Sequence, residues 1–63
     1  MHTYQYVIDN VVHTIDATTW QRDLATNEIV FIERAVGADG SIVEHEVARL
    51  HIEEAHRHIK RLR

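Results

Sequence analysis

Sixty-three residues without a cysteine exclude a disulfide scaffold and a thiolate metal knot, and leave room for one small domain over 1–63. An apolar share of 44% argues against disorder, and the absence of a long apolar run or leader pattern leads us to expect a cytoplasmic protein that spans no membrane. The net charge of −3 conceals a polarity, because residues 1–46 carry eight acids and two bases while residues 47–63 carry five bases and two acids.

The first element is a hairpin over 1–20. Two runs rich in β-branched and aromatic residues, Thr3–Ile8 and Val11–Ala17, flank Asp9-Asn10, a pair that tolerates the left-handed backbone of a tight turn. From Thr18 to Asn27 the pattern breaks, which reads as the end of the strand followed by a loop, with Trp20 as an anchor. A second hairpin is expected over 28–48. Glu28–Val36 is dense in β-branched residues, Asp39-Gly40 suits a turn, and Ser41–Leu50 alternates, with Val43, His45 and Val47 on one side and Ile42, Glu44 and Glu46 on the other.

Two helical signals compete. Ala25, Ile29, Ile32 and Val36 have helical spacing, and Ser41 to Glu44 fits a capping box. Farther on, Ala48, Ile52, Ala55, Ile59 and Leu62 form a stripe out of phase with Val43, Val47 and Leu50. A change of phase suggests a change of element. Acids at Glu53 and Glu54 and bases at Lys60, Arg61 and Arg63 also match the two ends of a helix dipole. The expected fold is therefore α+β: about four strands in an antiparallel meander and a C-terminal helix over 50–62, ββββα. The alternative is ββαα, with helices at 25–36 and 41–62.

Three surfaces carry the functional expectations. The strand 28–36 is apolar on both sides, with Ile29, Phe31 and Ala35 on one and Val30, Ile32 and Val36 on the other. One helix covers one side only, so Val30, Ile32 and Val36 are candidates for a homodimer interface, with His13 and His45 beside apolar neighbours as candidates for its seam. The bases Arg49, Arg57, Lys60, Arg61 and Arg63 are candidates for nucleic-acid contact, although the acidic body would repel the same phosphates. His51, Glu53, Glu54, His56 and His58 have metal-ligand spacing, although a solvated helix face accounts for them better.

Catalysis has little support. There is no phosphate loop, no nucleophile elbow and no zinc-protease motif, so the sequence points to a non-enzymatic protein that needs no cofactor. A chain this short buries only about 60% of the surface it exposes unfolded, and self-association supplies missing core. The reading is a small accessory or regulatory protein, a homodimer, that binds another macromolecule. The acidic body favours a protein partner; a nucleic-acid-binding regulator is the alternative, and a His/Glu metal protein comes third.

Overall fold

The computed structural model describes residues 1–51 and 59–63, and every regular element in them is a strand: β1 (His2–Ile8), β2 (Val11–Ala17), β3 (Thr19–Asp23), β4 (Glu28–Val36), β5 (Ile42–His51) and β6 (Lys60–Arg61). They form two antiparallel three-stranded sheets, ordered β2-β1-β6 and β3-β4-β5. Neither ββββα nor ββαα describes these residues, which are all-β.

The β1–β2 hairpin turns at Asp9 and Asn10, both left-handed at φ 51° and 65°. That backbone matches the right-handed twist of the flanking strands and leaves full pairing from Ile8↔Val11 to His2↔Ala17. Thr18 alone separates β2 from β3 and turns the chain from one sheet into the other. Its N–H donates to the Ile32 carbonyl (2.8 Å), and its Oγ1 accepts from the Arg34 N–H (2.9 Å), so the corner is pinned to β4. The stretch expected to be a loop, Thr19–Asp23, is thus a strand, with Trp20 across from Phe31.

Each helical signal has a different explanation here. Residues 28–36 pair with β5 throughout, and 28–32 pair with β3 as well, as their β-branched content favours. The Ser41 hydroxyl caps no helix; it donates to Asp39 Oδ1 (2.6 Å), as does the Ser41 N–H (3.0 Å), closing the β4–β5 turn. The phase change near Val47 is a β-bulge. Phe31 pairs with Ala48 and Ile32 with Glu46, which leaves Val47 as the extra residue. Beyond it the alternation restarts one residue late, placing Ala48 and Leu50 on the core face. One bulged strand therefore produces the change of phase between Val47 and Ala48 that resembles a change of element. The ends of the expected 50–62 helix are strand as well, since Leu50 and His51 pair with Ile29 and Glu28, and Lys60 and Arg61 with Gln5 and Tyr4; residues 52–58 lie outside the described residues.

The core lies between the sheets and is small. Tyr4, Ala17, Ile29 and Phe31 are buried, with Tyr6, Ile15, Ala48, Leu50 and Ile59 packed around them. The Phe31 ring lies 5.7 Å from those of both Tyr4 and Tyr6. The chain is extended for its length: its radius of gyration is 12.6 Å, where a compact domain of this size has about 10.6 Å.

Candidate binding surface

The extension comes from the β4–β5 hairpin. β3 accompanies β4 only as far as Ile32, across from Thr19, so residues 33–36 and 42–45 continue as a two-stranded ribbon. Its apolar side chains face water. Val36 is 76% exposed and Ile42, its cross-strand neighbour, 70%. Val43 and Val47 are exposed as well. Arg34 Nε donates to Glu44 Oε2 at 2.9 Å on the same face, and Glu33 sits across from His45. Among the described residues β5 pairs with β4 alone, so its other edge presents unpaired backbone groups over ten residues.

At the base of the ribbon, Arg49 gathers the acids of three strands. Its Nη1 donates to Asp23 Oδ2 and Glu28 Oε1 (2.9 Å each) and to Thr26 Oγ1 (3.0 Å), and its Nη2 to Glu46 Oε1 (2.7 Å). These bonds hold the Asp23 and Glu28 carboxyls below their ordinary range, helped by the Ala25 N–H at Asp23 and by Thr26 at Glu28, and they hold the guanidinium firmly charged. Hydrogen bonds from Ser41 likewise lower Asp39. Across the ladder from Arg49 lies Val30, and a shallow concavity runs over Val30 and Ile32 between Gln21, Glu46 and Arg49.

Placing the sequence candidates on this frame divides them. Val30 and Ile32 are 5% and 6% exposed in the single chain, and of that trio only Val36 stands open. His13 stacks on Tyr6 (5.2 Å, 13° between planes), and both His13 and His45 are exposed. Arg49 is committed to carboxylates. Lys60, Arg61 and Arg63 are exposed along and beyond β6, tied to β1 by Leu62 N–H to Thr3 carbonyl (2.7 Å) and His2 Nδ1–H to Arg63 carbonyl (2.9 Å). Arg57 and the metal candidates Glu53, Glu54, His56 and His58 lie outside the described residues, while His51 is exposed at the end of β5. Among the described residues no cluster of three His, Cys, Asp or Glu side chains converges to hold a metal, and no helix is long and apolar enough to cross a membrane.

Sequence reading missed the Arg49 cluster. The broken pattern from Thr18 to Asn27 places Asp23 in a loop, and strict alternation places Glu46 and Arg49 on opposite faces. No family model matches the chain, and no curated protein or solved structure shows significant similarity to it.

Proposed function

We propose that this chain is a small non-enzymatic accessory protein of the cytoplasm that acts as a homodimer and binds another polypeptide along the open edge of β5. The observation that carries the reading is the ribbon. A ten-residue edge strand with Val43 and Val47 exposed beside unpaired backbone groups offers what an added strand uses: main-chain hydrogen bonds for affinity and alternate side-chain contacts for selectivity. Isolated edges of this kind are aggregation-prone unless something occupies or guards them, and Glu44 and Glu46 supply charge there.

Phosphate binding is the weaker reading. Arg49 is neutralised by three carboxylates, which leaves Lys60, Arg61 and Arg63 as the described basic group on a chain of net charge −3.

The test is a displayed library of extended peptides, selected against the full chain, with affinity then measured by fluorescence anisotropy. Selected peptides bind with micromolar Kd, and Val43→Asp with Val47→Asp weakens them at least tenfold. A library that yields no binder sensitive to those two substitutions removes the reading.

A further inference from the structure

The two exposed ends of this molecule are opposite in charge and alike in carrying apolar side chains. The ribbon, residues 33–45, bears Glu33, Asp39 and Glu44 against the single base Arg34, a net of −2. Its apolar groups apart from the β5 edge are Val36 and Ile42, neighbours across the ladder. The C-terminal segment 59–63 bears Lys60, Arg61 and Arg63, a net of +3, around Leu62, which is 44% exposed. Within one chain the two belong to different sheets. β6 is paired to Tyr4 and Gln5 of β1 and fastened again through Thr3 and His2, while the ribbon projects from the other sheet.

We propose that the ribbon of one copy docks on the Lys60–Arg63 segment of a second copy, and that the exchange is reciprocal, giving a closed two-fold dimer. This rests on the homodimer reading above and names its surfaces. Charge complementarity selects the occupant: the acidic, apolar ribbon fits a basic, apolar strand end, and the chain itself carries one. Reciprocity follows from copy number. Every copy has both surfaces, so a single unreciprocated contact would propagate into a larger ring or an open filament, whereas the exchange satisfies all four surfaces within two chains. Two like ribbons packed on each other would instead bring acid against acid. The competing occupant, an unrelated basic peptide, uses the same chemistry and becomes an outcome of the test.

The experiment is light scattering on the full chain with two charge-reversed variants. Glu33→Lys with Glu44→Lys turns the ribbon net positive; Arg61→Glu with Arg63→Glu turns the tail net negative. All four positions have side chains at the surface, and circular dichroism confirms that each variant keeps its strands. Glu33→Lys alone provides a milder ribbon variant, because Glu44 already pairs with Arg34.

The wild type is expected to be a dimer at low salt, with Kd rising at least tenfold between 50 and 500 mM NaCl as the Debye length falls from about 14 Å to about 4 Å. Each reversed variant alone is monomeric. Mixed in equal amounts they recover a heterodimer, because the positive ribbon meets the negative tail and the negative ribbon meets the positive tail. A tail-reversed variant that stays as dimeric as the wild type overturns the proposal and leaves the homodimer standing on other surfaces. Two variants that each become monomeric but do not recover on mixing also overturn it. A wild type that is monomeric at every salt removes both the proposal and the homodimer, and a ribbon that then captures only basic peptides identifies the other occupant.

Discussion

Glu46 and Arg49 stand three residues apart on one strand and still share a face, joined by Arg49 Nη2 to Glu46 Oε1 at 2.7 Å and Nε to the same oxygen at 3.1 Å. A regular strand would send them to opposite sides. The extra residue Val47 in the β4–β5 ladder shifts the alternation by one and makes the pair possible, and Asp23 and Glu28 then complete the cluster from β3 and β4.

The cluster sets an acid response with a definite sign. Asp23 and Glu28 titrate below their unfolded values because Arg49 binds their charged forms. Their contribution is therefore complete above the unfolded carboxylate range near pH 4 and is lost as pH falls below it. Arg49→Met, which keeps an apolar stem over Val30, should lower Tm by several degrees at pH 7. It should also flatten or invert the decline toward pH 4, since protonation then relieves three crowded carboxylates. Thermal melts across pH 3–7 on both proteins measure this. Equal acid slopes in the two would mean that the cluster contributes nothing.

Phe31 joins the two sheets, being fully buried and in contact with Tyr4 and Tyr6. Phe31→Ala should cost about 3–5 kcal/mol, enough to unfold a chain with so small a core, and Phe31→Leu should cost less and keep the fold. Urea denaturation followed by circular dichroism separates them.

Asn10 occupies left-handed backbone at φ 65°. Asn10→Gly should stabilise the hairpin or leave it unchanged, because glycine adopts that conformation without strain. Asn10→Val, β-branched at positive φ, should cost about 1–2 kcal/mol. Comparing urea midpoints at constant m-value reports both.

Position along β4 decides what an apolar side chain contributes. Ile32→Ala should destabilise by about 2–5 kcal/mol because its side chain is buried. Val36→Ser with Ile42→Ser should change the stability of the isolated chain by no more than about 0.5 kcal/mol per site, both being exposed. Urea unfolding at low protein concentration, where association does not contribute, makes the comparison.

Much of this architecture is local and therefore legible. The Asp9-Asn10 turn, the strands beside it and the strand character of Glu28–Val36 follow from turn chemistry and β-branched content, which act within a few residues. The polarity of charge is likewise a property of the chain, and it supplied the basic segment Lys60–Arg63 and the acids opposite it.

Tertiary structure decided what local rules leave open. The stripe change at Val47–Ala48 has the same sequence signature whether a new helix begins or one strand bulges, and only pairing with Phe31 and Ile32 selects the bulge. Thr19–Asp23 lacks alternation because its partner β4 supplies the core face, so its strand state comes from the ladder and not from its own composition. Arg49 looked like a free cation until three strands brought Asp23, Glu28 and Glu46 within reach of it. Val30, Ile32 and Val36 share a parity in sequence, yet two are covered and one is bare, because β3 ends at Thr19 and the sheet beside Val36 narrows to two strands. The sequence by itself determines turns, strand tendency and charge, which are properties of neighbouring residues; burial, partners and the face each side chain occupies depend on distant segments meeting, and those were settled only by the fold.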